Sequence, residues 1–97
     1  MFSIFKIKGC SLYPVLEEGD YVLILKKFFR LKENDIVVFR HHKYGILIKK
    51  VQKILPENKL FVVGTDINSI DSRKFGEIDK SCIIGKVIFK VKWISKI

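Results

Sequence analysis

Short runs of Val, Ile, Phe and Tyr, cut at close intervals by Gly, Pro, Asn and Asp, constrain the fold of this chain more than any other feature. Branched and aromatic side chains suit a pleated surface, and helical periodicity is weak almost everywhere. The pattern predicts an all-β domain, small and mostly antiparallel. Strands are expected over Phe2 to Lys8, Tyr21 to Lys26, Ile36 to Arg40, Ile46 to Leu55, Lys59 to Gly64 and Ser81 to Trp93. Pro56-Glu57-Asn58 reads as a turn and His41 to Gly45 as a hairpin loop. Thr65 to Gly76, with Asp66, Asn68, Ser69, Asp71, Ser72 and Arg73, reads as a polar loop, long enough to suggest a function.

Alternation assigns faces. In the last strand Val87, Phe89, Val91 and Trp93 alternate with Ile88, Lys90, Lys92 and Ile94, which predicts one apolar face with Trp93 in the core. In the fourth strand Leu47, Lys49 and Val51 share a face and Ile46 and Ile48 the other. Lys53 would join the first set farther along, so the strand is expected to leave the core partway. Among Phe28, Phe29 and Leu31, at least one is expected to pack in the core.

With 97 residues, the chain is expected to form one domain over 1–97, and 48% apolar residues argue against disorder. No apolar run approaches the roughly 18 residues of a membrane span, and no signal peptide is evident. The expected location is cytoplasmic or peripheral to a membrane. A net charge of +9 biases the surface toward anionic partners: acidic peptide, lipid headgroups or nucleic acid. Cys10 and Cys82 are not closely spaced with each other or with His41 and His42, so unpaired thiols are expected rather than a disulfide or a zinc site. No metal or cofactor is implied.

Two positions carry potential chemistry. Ser11 lies in the turn-like Gly9-Cys10-Ser11-Leu12-Tyr13-Pro14, and Lys49 sits among aliphatics in Leu47-Ile48-Lys49-Lys50-Val51. A free lysine, with a pKa of about 10.4, is almost wholly protonated at neutral pH, but desolvation penalises the ammonium and can leave a neutral amine able to accept the serine proton. Backbone N–H groups in the turn, those of Cys10 and Ser11, could face a developing oxyanion. The bland alternatives are a structural turn serine and a solvated lysine, with Lys50 as the one pointing inward.

Gly9-Cys10-Ser11-Leu12-Tyr13-Pro14, Leu16 and Gly19-Asp20-Tyr21-Val22-Leu23 together resemble the nucleophile segment of type I signal peptidases. Asn34-Asp35-Ile36-Val37-Val38-Phe39 resembles the next strand of that family, and Ile48-Lys49-Lys50-Val51 its lysine block. Gly64, then Asn68-Ser69-Ile70-Asp71-Ser72-Arg73-Lys74-Phe75-Gly76, is similar to its Ser-x-Asp-Ser-Arg block, and Ile84-Gly85-Lys86-Val87 to its trailing strand. Leu12 stands for the usual Met, Lys50 for the common Arg, and Gly64 to Asn68 is one residue short.

The resemblance implies a catalytic core of the signal peptidase/LexA-like type; the membrane anchor and the inserted second domain common in that family are, as a departure from it, not expected here. It implies Ser11 as nucleophile, Lys49 as general base, Ser69 as a hydrogen-bond partner of the lysine, and Asp71 with Arg73 as a structural ion pair. The expected activity is that of a serine endopeptidase cleaving a leader or signal-like segment from a precursor protein. Two other readings stand beside it: a catalytically inactive binding module on the same scaffold and, with less support, a basic nucleic-acid-binding β domain.

Overall fold

In a computed structural model, which describes residues 1–7, 16, 19–26, 30–65 and 69–91, the expected strands are present. They are β1 (Phe2–Lys6), β2 (Tyr21–Leu25), β3 (Ile36–His41), β4 (Gly45–Leu55), β5 (Lys59–Val63), a short β6 (Ile78–Asp79) and β7 (Ile83–Val91). The one described α-helix is α1 (Ser72–Phe75), and a 3-10 turn covers Lys80–Cys82. All seven strands join one sheet in the order β1-β2-β7-β3-β4-β5-β6, and every neighbouring pair is antiparallel. The fold is all-β.

Turn chemistry accounts for the hairpins. Gly45 closes the β3–β4 loop at φ 80°, a left-handed conformation that costs glycine little. Between β4 and β5, Glu57 and Asn58 both adopt positive φ, 62° and 61°. Gly85 serves a different need. A β-carbon there would lie 2.9 Å from Ile24 Cδ1 and 3.0 Å from the Leu25 carbonyl oxygen, so β2 and β7 approach this closely only because the side chain is absent.

Two apolar clusters lie on opposite faces of the sheet. One contains Val37, Phe39, Val51, Leu60 and Val62, covered by Leu31, Phe75 and Ile78. The other contains Ile7, Leu16, Val22, Ile24 and Val38. Leu31 is held in place by the segment around it: Asp35 Oδ2 accepts from the Lys32 N–H at 2.9 Å and lies 3.4 Å from Lys86 Nζ, which also donates to the Arg30 carbonyl at 3.0 Å. This polar clamp ties the 30–35 stretch to β7 and so lays Leu31 over the first cluster.

Three expectations change. Thr65 to Gly76 is not loop throughout, because Asp71 caps α1 and Gly76, at φ 84°, ends it. Lys53 does not share the face of Lys49. The β4–β5 register passes from Val51↔Val62 directly to Lys53↔Phe61, so a bulge at Gln52 inverts the alternation and places Lys53 on the opposite side. A second bulge does the same in β7, where Ile24 pairs with Val87 but Leu23 with Phe89. Val87 therefore packs on the second cluster, whereas Phe89 faces the other way and is exposed. Trp93, Phe28 and Phe29 lie outside the described residues.

Candidate active site

Lys49 is the buried cation of the sheet. Its register partner is Val37, its strand neighbours on the same face are Leu47 and Val51, and only 3% of its surface is exposed. Lys50, one position on, pairs with Ile36 and Val63 on the opposite face and is half-buried. Alternation thus decides between the two lysines in favour of Lys49. Burial pushes its amine below the ordinary lysine range, Asp71 pulls it back up, and Arg73 pushes it down again. The outcome is a lysine that loses its proton more readily than one in water.

Asp71, fully buried, organises the ground beside it. Its Oδ2 accepts from the Gly64 N–H at 2.8 Å and the Ser69 hydroxyl at 3.0 Å, and lies 2.6 Å from Arg73 Nη2. Its Oδ1 accepts from the Arg73 N–H and from Arg73 Nε, each at 3.0 Å. Burial by itself would raise the Asp71 pKa, but the hydrogen bonds from Arg73, Gly64 and Ser69 win and hold the carboxyl well below the usual carboxylate range. It is a fixed anion at any physiological pH.

Ser72 completes the attachment by accepting the Val62 N–H at 2.9 Å. β6 pairs only with Lys59 and Leu60 of β5, so beyond that point the outer margin of β5 is met by the Ser72 and Asp71 side chains where another strand would otherwise lie. Ser69 gives its proton to Asp71 and accepts from Arg73 Nη2 at 3.3 Å. Its oxygen therefore presents itself to cations.

The structure brings Ser69, Asp71 and Arg73 together and sets Lys49 within electrostatic reach of Asp71 and Arg73. Ser11 and Cys10 lie outside the described residues. Sequence reading passed over Ser72 and Gly64 as site-building groups; the Asp-Ser pair preceding a short helix was the available signal, since both residue types satisfy backbone N–H groups at helix starts and strand margins. Among the described residues no cluster of three or more His, Cys, Asp or Glu side chains could hold a metal. Cys82 is a free thiol, half-buried against the first cluster, and burial raises its pKa, which makes it a poor nucleophile.

Residues 2–88 match the family described as Peptidase S24-like, within the LexA/signal peptidase superfamily. The chain belongs to the Peptidase S24-like family. That family includes serine peptidases and also members without catalysis, so membership supports peptidase chemistry in this S24-like chain without specifying it. No curated protein matches the chain significantly. No described helix of this S24-like domain is long and apolar enough to cross a membrane.

Proposed function

We propose that this S24-like protein is a serine endopeptidase with a Ser-Lys dyad, similar in type to signal peptidase I, that removes an N-terminal leader or signal-like segment from a precursor protein. The observation that carries the reading is the burial of Lys49 on an apolar face, with its amine depressed by desolvation. A neutral amine there can act as general base at a pH where an exposed lysine cannot.

In the proposed reaction Lys49 Nζ takes the Ser11 hydroxyl proton as Ser11 Oγ bonds to the scissile carbonyl carbon. The backbone N–H groups of Ser11 and Cys10 receive the oxyanion. When the C–N bond breaks, the ammonium returns its proton to the departing amine. Water, deprotonated in turn by Lys49, attacks the acyl-serine ester; the new carboxyl product leaves and Ser11 regains its proton. Ser69 steadies the ammonium through its oxygen, and Asp71 with Arg73 fixes the segment that carries Ser69.

The test is processing of leader-bearing peptides by wild type, Ser11→Ala and Lys49→Met, with a serine-reactive peptide warhead as a second readout. The wild type should cleave and should be labelled on Ser11, and each variant should lose at least about a thousandfold in rate. Labelling elsewhere, or cleavage unchanged in Lys49→Met, overturns the dyad.

A further inference from the structure

The tip of the β3–β4 hairpin holds an arrangement that the ground around Lys49 does not require. His41 Nδ1 accepts from the Lys43 N–H at 3.1 Å and from the Tyr44 N–H at 3.4 Å. A ring nitrogen accepts only while it carries no proton, so both bonds belong to the neutral imidazole, with its hydrogen on Nε2. The turn is built around one protonation state of one side chain.

The same ring ties the hairpin to the helix. His41, Phe39 and Val37 alternate onto one face of β3, where they stand opposite Gly45, Leu47 and Lys49 of β4. Phe75 of α1 meets this row, with its ring centre 4.4 Å from that of His41 and 6.3 Å from that of Phe39. The rings of His42 and Tyr44 complete the group, 4.5 Å and 5.1 Å from His41. The helix is thus capped by Asp71 at its start and steadied by His41 near its end.

The charges around the ring oppose an imidazolium. The hairpin over 36–55 contains no Asp or Glu, and the loop neighbours His42 and Lys43 repel a charge on His41. On α1, Arg73 is bound to Asp71, Lys74 adds an exposed cation, and Glu77, just past Gly76, is exposed to solvent. On the 3-10 turn, Cys82 packs against the same apolar cluster as Phe75 and is kept a thiol by burial, while Asp79 is engaged by Lys59 and the Ser81 N–H. Burial first, then His42 and Lys43, push the His41 pKa below its ordinary value of 6.5.

We propose that His41 is a proton-operated latch: when Nδ1 takes up a proton, the Lys43 and Tyr44 N–H groups lose their acceptor, the hairpin tip loosens, and Phe75 loses a ring that steadies the end of α1. The latch is closed at neutral pH and opens in mild acid. Folded His41 binds its proton less readily than unfolded, so the stability it contributes is complete above 6.5 and is lost as pH falls from there through the folded value. The latch stands independently of the peptidase reading.

An NMR titration of the full chain, from about pH 8 to about pH 4, tests it. The His41 ring should titrate with a midpoint below 6.5, and the Lys43 and Tyr44 amides and the Phe75 ring should shift with that same midpoint. Protection of the two amides, corrected for the intrinsic pH dependence of exchange, should fall at least about tenfold across it. His41→Asn keeps an acceptor oxygen suited to this turn and cannot titrate, so its two amides should stay protected in acid. His41→Phe keeps a ring against Phe75 without an acceptor, so they should be unprotected throughout, and Lys43→Gln should raise the His41 midpoint. If a variant fails to fold, the wild-type titration decides alone. A His41 midpoint at or above 6.5 overturns the proposal, as do amides or a Phe75 ring that ignore the titration, or a folded His41→Asn whose amides still lose protection in acid.

Discussion

Lys49, Asp71 and Ser72 are buried where β4, β5 and α1 meet, whereas Phe2, Ile4 and Phe89 stand in solvent where β1, β2 and β7 meet. Each region reverses the ordinary arrangement, in which charges are solvated and large apolar groups are inside. The first reversal is stabilised by saturation: every oxygen of Asp71 has donors, and the Ser72 hydroxyl is committed to β5. The second has no internal compensation among the described contacts. A reversal that the fold supports from within can hold a charge in place for the proposed chemistry; one left open to solvent has no such support among the described residues.

The comparison is broken most sharply at Lys49. Lys49→Met keeps the volume and removes the ionisable group, so processing should fall at least about a thousandfold while the melting temperature rises by a few degrees, because an unfavourable buried amine is gone. A variant that melts lower than wild type would mean that the ammonium, not the neutral amine, is the native form.

Next in size is Asp71→Ala. It strips partners from the Gly64 and Arg73 N–H groups and should cost about 3 kcal/mol in denaturant unfolding. Acid titration adds a signed check. The Asp71 carboxyl binds its proton less readily folded than unfolded, so its contribution is complete above the unfolded carboxylate range and is lost as pH falls below it. The variant should therefore show a flatter stability curve on the acid side than wild type.

Lys49 gives a second signed profile. Its folded amine has a lowered pKa, so cleavage should climb with pH to a plateau reached below the ordinary lysine value of about 10.4. Stability should climb from that lowered folded value up to the ordinary one of about 10.4, because between them the unfolded chain binds the proton that the folded one has lost. A rate that rises only near that ordinary value would sink the assignment of Lys49 as a depressed base.

Smaller effects sharpen the other region. Gly85→Ala should destabilise by about 1–3 kcal/mol through contact with Ile24 and the Leu25 carbonyl, since backbone and a buried side chain leave little room to shift. Ile4→Thr, by contrast, should change unfolding by less than about 0.5 kcal/mol. Removing an exposed apolar group at the open face costs little, which is what separates it from Phe39 or Val51 in the core.

The strands were legible because β-branched and aromatic runs and their Gly, Pro and Asn punctuation are local properties, and the face shared by Leu47, Lys49 and Val51 follows from a period of two. What escaped was set by partners. The bulges at Gln52 and Ile88 exist only in relation to β5 and β2, and they moved Lys53 and Phe89 to faces that simple alternation forbids. β6 is two residues long and owes its existence to Lys59 and Leu60. At the site, the chemistry of Ser69, Asp71 and Arg73 came from resemblance, because a polar loop displays no period. The role of Ser72 depends on a backbone group ten positions earlier in the chain.

Asp71 and Ser72, in capping β5, also keep the molecule apart from its copies. An unsatisfied strand margin is a template for polymerisation, and these two side chains are what keep it closed to other molecules. Damage at that corner therefore exposes a sticky seam, so clumping becomes the characteristic failure of chains altered there.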